Sequence, residues 1–181
     1  TTSSCGFCGT NEIDELAARL APVVGEPIDW SVLAEAPDKL RPGQGLFDAT
    51  GAVHAAGIVD PTGGVGLIRE DVGRHNAVDK IAGWMLSEGV GAEDKVLYTT
   101  GRLTSEMVIK TAMMGIPVLA SRSGFTAWGV EIAQQVNLTL IGRMRGQRFT
   151  CLAGEGRLIR DADPASVAEE PRKSGRKGAK D

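Results

Sequence analysis

Cys5 and Cys8 stand three positions apart in the opening segment TTSSCGFCG, flanked by Gly6 and Gly9. The stretch TNEIDELAARLAPVV follows at once, with Ile13, Leu16, Ala17 and Leu20 at helical spacing and Thr10 or Asn11 placed to cap the helix. Thiols just ahead of a helix meet unpaired amides and the positive end of the helix dipole, which favour the nucleophilic thiolate. Taken alone, the spacing suits a redox disulfide, half of a metal site, a sulfur carrier, or two cysteines with no chemical role. A metal site needs further ligands, and only Cys151 and the widely separated His54 and His75 remain, without the paired spacing of structural zinc. A thioredoxin-type motif follows a buried strand, whereas only Thr1, Thr2, Ser3 and Ser4 precede Cys5.

A second group is the run REDVGRHNAVDK, which crowds Arg69, Glu70, Asp71, Arg74, His75, Asn76, Asp79 and Lys80 at a strand-to-helix junction. Two readings stand side by side: a ligand pocket, or a helix cap at Asp71 with salt-linked neighbours. His54, in a short apolar strand, reads as a satisfied core histidine. A third group recurs at the ends of successive strands: Thr99-Thr-Gly-Arg102, Ser121-Arg-Ser-Gly124 and Gly142-Arg-Met-Arg-Gly-Gln-Arg148. Each offers amides and a guanidinium, and strand ends in α/β sheets are where phosphorylated ligands bind. Capping explains any one of the loops; their recurrence points to a phosphate-bearing ligand.

The elements that must position these residues follow from periodicity. Pro37, Pro42, Gly43 and Gly45 predict turns and short helical pieces across PDKLRPGQGLF. Residues 52–60 and 65–70 read as a hairpin around Pro61-Thr-Gly-Gly64. HNAVDKIAGWML predicts a helix stopped by Gly89 and Gly91, with Ala77, Val78, Ile81, Met85 and Leu86 facing largely one way. KVLYTT, SEMVIKTAMMG, IPVLAS, TAWGVEIAQQVN and LTLIG then alternate strand and helix, and RFTCLAG pairs back onto LTLIG around Gly146. The fold class is therefore α/β, with a mixed sheet flanked by helices. Trp84, Met85 and Leu86 suit either a core stripe or a dimer surface.

The 181 residues, 42% of them hydrophobic and 24% charged, suit one globular domain. No apolar run approaches the roughly 20 residues needed to span a bilayer, and no signal peptide is legible, so the expectation is a soluble, cytoplasmic protein without a membrane partner. The first residue is not Met, and the chain opens inside what reads as a functional loop, as expected of part of a longer product. A net charge of -3 gives no whole-molecule attraction to nucleic acid, so any anion site must be local. Three cysteines leave one unpaired in any disulfide scheme. The organisation expected is a domain over residues 1–161, with a cysteine loop at 1–10 and an α/β core at 50–153, then a disordered basic tail at 162–181 that carries almost no large apolar side chain.

The ordered set SSCGFCG, TGAVHAAGIVD, REDVGRHNAVDK, TTGRLTSEMVIK, GIPVLASRSGFT and LTLIGRMRGQRF resembles the formate dehydrogenase accessory sulfurtransferase (FdhD) family over residues 3 to 152. The resemblance implies a cytidine deaminase-like layered domain and a homodimer. It also implies transfer of persulfide sulfur from a cysteine desulfurase to the molybdenum bis-molybdopterin guanine dinucleotide cofactor, for formate dehydrogenase. By the same resemblance Cys5 bears the persulfide with Cys8 as its close partner, and the cofactor loop is Arg143, Met144, Arg145, Gly146, Gln147 and Arg148. No His/Cys/Cys zinc set with a general-acid Glu is present in the sequence, so neither zinc nor deamination is expected. Family members usually carry a β-rich region ahead of the cysteine loop, whereas only Thr1 to Ser4 precede Cys5 in this sequence; they do not require the basic tail, and Arg143 stands where an aromatic or apolar residue is common. Two other functions fit the residues: a non-catalytic molybdenum cofactor-binding chaperone, which would not depend on its thiols, and a dithiol oxidoreductase, which would cycle a Cys5–Cys8 disulfide.

Overall fold

A computed structural model of the chain describes residues 10–161. The cysteine loop, including Cys5 and Cys8, and the basic tail lie outside the described residues. Among those described, no helix is long and apolar enough to cross a membrane.

The chain runs through α1 (Thr10–Arg19), β1 (Ile28–Asp29), α2 (Trp30–Leu40) and α3 (Gly45–Thr50) before the main sheet begins. The helix at 30–40 differs from the turns expected there, since Pro37 lies inside it. A proline in a helix forfeits one backbone bond. The loss is offset because Val32, Leu33, Ala36 and Leu40 fall on one face and are buried, each large aliphatic side chain contributing about 1.5–3 kcal/mol by leaving water.

β2 (His54–Val59) and β3 (Val65–Asp71) form the expected antiparallel hairpin, paired from Val59 with Val65 to His54 with Asp71. In its turn Asp60 Oδ1 accepts from the amides of Thr62 at 2.9 Å and Gly64 at 2.8 Å. Then come α4 (Arg74–Glu88), β4 (Val96–Thr99), α5 (Ser105–Met113), β5 (Val118–Ser121), α6 (Ala127–Gln135), β6 (Thr139–Arg145) and β7 (Arg148–Ala153). α4 stops at Gly89, whose φ of 64° lets its amide bond the Met85 carbonyl, a left-handed cap suited to glycine. The mixed sheet has six strands in the order β3-β2-β4-β5-β6-β7; β4, β5 and β6 are parallel and the remaining pairs antiparallel. This is the α/β architecture with a mixed sheet and flanking helices that the apolar periodicity predicts.

Alternation along the strands feeds two cores. Leu97, Leu119 and Leu140 pack with Ala77, Val78 and Ile81 of α4, Met107 and Val108 of α5 and Ile132 of α6. Val96, Tyr98, Val118, Ala120 and Ile141 face the other way, onto α2. Side chains of successive strand residues point to opposite faces, so one strand serves both layers. Late in α4, Met85 is buried and Trp84 packs partly against the first core, while Leu86 is exposed.

β8 (Leu158–Ile159) pairs in parallel with β1 as a separate two-stranded sheet. There Asp161 Oδ1 accepts from the Ser31 amide at 3.0 Å in the first turn of α2. Arg157 donates to the Thr139 hydroxyl at 2.7 Å and to the carbonyls of Asn137 at 3.1 Å and Val23 at 3.3 Å, tying down the end of the sheet where β6 begins. The opposite end, where the parallel strands finish, is left to the loops.

Candidate functional site

Because β4 and β5 run in parallel register with Thr99 beside Ser121, the loops that leave them emerge together. Their backbones are cross-tied by short buried hydroxyls. Thr99 Oγ1 accepts from the Gly101 amide at 3.1 Å, and Ser121 Oγ donates to the Gly101 carbonyl at 2.7 Å while accepting from the Ser123 amide at 2.9 Å. The Thr100 amide donates to the Ala55 carbonyl at 2.9 Å, and the Ala55 amide returns a bond to Thr100 Oγ1 at 2.9 Å. The Leu103 amide reaches the Gly124 carbonyl at 2.9 Å, and the Arg143 amide reaches the Ser123 carbonyl at 3.1 Å. The strand-end loops after β4, after β5 and within β6 thus form one connected rim.

The third loop holds a backbone irregularity that the hairpin reading did not contain. Arg143 has φ 55°, and the pairing of β6 with β7 shifts register between Gly142 and Arg145. A non-glycine residue in the left-handed region carries strain of order 1–3 kcal/mol, and such residues cluster at functional sites. The kink sets the side chains apart. Met144 is 2% exposed and joins the core under α2, whereas Arg143 and Arg145 are exposed. The Arg143 guanidinium lies 5.3 Å from the Phe125 ring centroid, within range of a cation–π attraction that orients it.

The result is a cleft of about 640 Å³ lined by Thr100, Arg122, Ser123, Gly124, Arg143 and Arg145. Among the described residues Arg122, Arg143 and Arg145 enter no ion pair, while Lys39, Arg41, Lys80, Lys95, Lys110 and Arg160 all do. Guanidinium groups beside hydroxyl donors suit a phosphate, which takes bidentate bonds from arginine. Of the cofactor loop expected at residues 143–148, Arg143 and Arg145 line this cleft; Met144 turns inward, and Gly146, Gln147 and Arg148 form the turn and the first residue of β7 outside the lining. Thr100, Arg122, Ser123 and Gly124 come from the strand-end loops that sequence singled out by their recurrence.

The charged run after β3 resolves largely into local structure. Glu70 accepts from the amides of Leu46 and Phe47, both at 2.8 Å, at the start of α3. Asp71 bonds Lys80 at 2.6 Å, the Gly73 amide at 2.9 Å and Asn76 at 3.1 Å, and these partners, Lys80 foremost, push its pKa down to about 2. Gly73 rather than Asp71 occupies the N-cap of α4, though the salt-linked neighbours expected around Asp71 are present. Asp79 pairs with Lys110 at 2.6 Å. Arg74 and His75 differ: Arg74 Nε and His75 Nδ1 are buried without a hydrogen-bond partner. His54, partly buried, sits with Nδ1 3.4 Å from Thr100 Oγ1, and burial together with Arg74 holds its pKa below the ordinary value.

Cys151 is half-buried with Sγ 3.4 Å from the Ala153 carbonyl, and burial pushes its thiol pKa up, away from nucleophilic use. Among the described residues no three His, Cys, Asp or Glu side chains gather where they could hold a metal ion.

Comparison with known proteins places this geometry in context. The model of the FdhD/NarQ family matches residues 1–159. A sulfur carrier protein FdhD of Nocardia farcinica is 43% identical over 162 residues, covering 87% of this chain and 58% of that protein. The namesake protein of Thermoplasma volcanium is 36% identical over 159 residues, covering 87% and 57%. The chain therefore spans under three-fifths of the length of these relatives. A crystal structure described as that of a formate dehydrogenase accessory protein from Desulfotalea psychrophila superposes with a TM-score of 0.73 at 32% identity, covering 80% of this chain and 62% of that one.

Proposed function

This chain belongs to the FdhD/NarQ family, and from that premise we propose that it is a cytoplasmic sulfur carrier for formate dehydrogenase maturation. Its cargo in this reading is the molybdenum bis-molybdopterin guanine dinucleotide cofactor, held by its phosphates in the arginine cleft, and its sulfur donor is a cysteine desulfurase. The observation that carries the reading is the convergence of three strand-end loops on one cleft with Arg122, Arg143 and Arg145 lacking carboxylate partners among the described residues. The names of the relatives, sulfur carrier proteins, support the sulfur chemistry. A homodimer is part of the same proposal.

The sulfur step belongs to Cys5. Its thiolate attacks the outer sulfur of the donor's persulfide; the new bond joins Cys5 to that sulfur, the donor's S–S bond breaks, and the donor leaves as a thiolate. No net oxidation occurs. A nucleophilic acceptor then attacks the outer sulfur, a bond to it forms as the Cys5 S–S bond breaks, and Cys5 leaves as its thiolate, ready for another round. A chaperone that merely holds the cofactor uses the same cleft without this chemistry, and dependence on the thiols separates the two.

The cleft assignment is tested by titrating the protein calorimetrically with GDP as the nucleotide half of the cargo. Arg145→Ala and Arg122→Ala each lose about 1.5–3 kcal/mol of binding if each guanidinium makes a charge-assisted bond, and affinity in the parent falls as salt is raised, because exposed phosphate contacts are screened. Unchanged GDP affinity and salt dependence in both folded variants would remove the cleft as the cofactor site.

A further inference from the structure

In the crowded run after β3, Arg74 stands out as a partly buried cation without an ion pair among the described residues. Glu70, Asp71, Asn76, Asp79 and Lys80 all have partners within hydrogen-bond distance. Arg74 forms no ion pair among the described residues, and its buried Nε has no acceptor. A buried donor left without an acceptor costs free energy that the fold normally avoids. Burial first and Arg74 second push the pKa values of His54 and His75 down, and Lys110, Glu106 and Asp79 also act on His75.

The position of Arg74 relative to the cleft follows from Gly101. A Cβ added there would come within 2.7 Å of Arg74 Cβ and 2.9 Å of its Cδ, so the arginine side chain lies along the bare backbone of Gly101. The preceding residue, Thr100, lines the cleft, and its hydroxyl also faces His54 Nδ1 at 3.4 Å. Arg74 and His54 therefore pack on Gly101 and Thr100, the strand end that borders the cleft, without themselves being among its lining residues.

We propose that Arg74, with His54 beside it, is a second anion anchor that extends the cleft into a site for a ligand bearing more than one acidic group, a polyphosphate chain being the chemistry that fits. The ligand's second anionic group supplies the counter-charge that Arg74 lacks among the described residues. This rests on the reading of the cleft as a phosphate site, but not on guanine recognition or on sulfur transfer.

The test uses inorganic phosphate and tripolyphosphate, neither of which carries a nucleoside, titrated into the protein by calorimetry. The parent binds tripolyphosphate at least about tenfold more tightly than phosphate, since a longer anion reaches more charge-assisted donors. In Arg74→Gln that preference collapses to less than about threefold, and Arg74→Lys restores part of it by keeping the charge. Arg145→Ala weakens both anions. If Arg145→Ala changes neither, the cleft reading fails; if it weakens both while Arg74→Gln keeps the full preference for tripolyphosphate, the Arg74 anchor alone is overturned. A second measurement needs no folded Gln variant: the side-chain Nε–H resonance of Arg74, identified by its absence in Arg74→Lys, shifts when tripolyphosphate is added to the parent. A resonance that stays in place at saturating tripolyphosphate overturns the anchor.

Discussion

Ser121→Ala is the sharpest test of how the cleft is held in shape. The side chain is fully buried, donates to the Gly101 carbonyl at 2.7 Å and accepts from the Ser123 amide at 2.9 Å. It is the hydroxyl that joins the loop after β4 to the loop after β5. Alanine keeps the Cβ and creates almost no cavity, so the cost comes chiefly from the buried Gly101 carbonyl deprived of its donor, with the part-buried Ser123 amide losing its acceptor. An unsatisfied buried group costs about 1–3 kcal/mol, and we expect a loss of about 2 kcal/mol in all. At roughly 2–4 °C per kcal/mol for a chain of this size, Tm falls by about 4–8 °C. Urea unfolding followed by circular dichroism should show a lower midpoint at an unchanged slope, the signature of altered stability rather than altered compactness. GDP binding should weaken as well, because Arg122 and Ser123 ride on the loosened loop. Ser87→Ala provides the contrast: that hydroxyl bonds the Trp84 carbonyl at an exposed position, and its loss should stay within about 0.5 kcal/mol. If Ser121→Ala costs no more than Ser87→Ala, the hydroxyl bridge does not hold the rim together.

Two further outcomes follow from single sites. Asp71 titrates with a midpoint of about 2 in the folded protein, below the unfolded value of about 3.9. Its contribution to stability is therefore present above pH 4 or so and lost as pH falls towards 2, and carbon-detected NMR of the carboxyl should show the low midpoint and its rise in Lys80→Met; an ordinary midpoint in the parent would contradict the Lys80 pairing. Gly154→Ala places a Cβ within 2.6 Å of Thr139 Oγ1 and 2.8 Å of its Cα, at a φ of +70°. The left-handed conformation alone costs about 1–2 kcal/mol for an L-residue, so thermal melting should show at least that loss, and an unchanged Tm would refute the close packing of Gly154 on Thr139.

The hairpin at β2–β3 and the alternation from β4 to β7 are legible in the sequence because the apolar runs are short and bounded by Gly, Pro or Thr, with β4 and β5 buried on both faces. α2 is not legible, since Pro37 signals a break locally while the burial of Leu33 and Leu40 that overrides it depends on a sheet still to come in the chain. The pairing of Ile28 with Leu158 joins two-residue strands from opposite ends of the described chain and leaves no periodic trace. At the site, composition shows that arginines gather at strand ends, but not which ones share a cleft. The kink at Arg143 decides that by turning Met144 into the core and leaving Arg143 and Arg145 outside. The run from Arg69 to Lys80 looks uniformly chemical as a string of letters. Only the partners found in space separate Glu70 and Asp71, which hold helices, from Arg74, whose Nε has no acceptor among the described residues.

The central claim, that the chain carries sulfur on Cys5, is tested most directly by mass spectrometry of the intact protein after incubation with a cysteine desulfurase and cysteine. The account predicts a gain of one sulfur atom that a thiol reductant removes and that Cys5→Ala does not show. No gain in the parent, or an equal gain in Cys5→Ala, would contradict it.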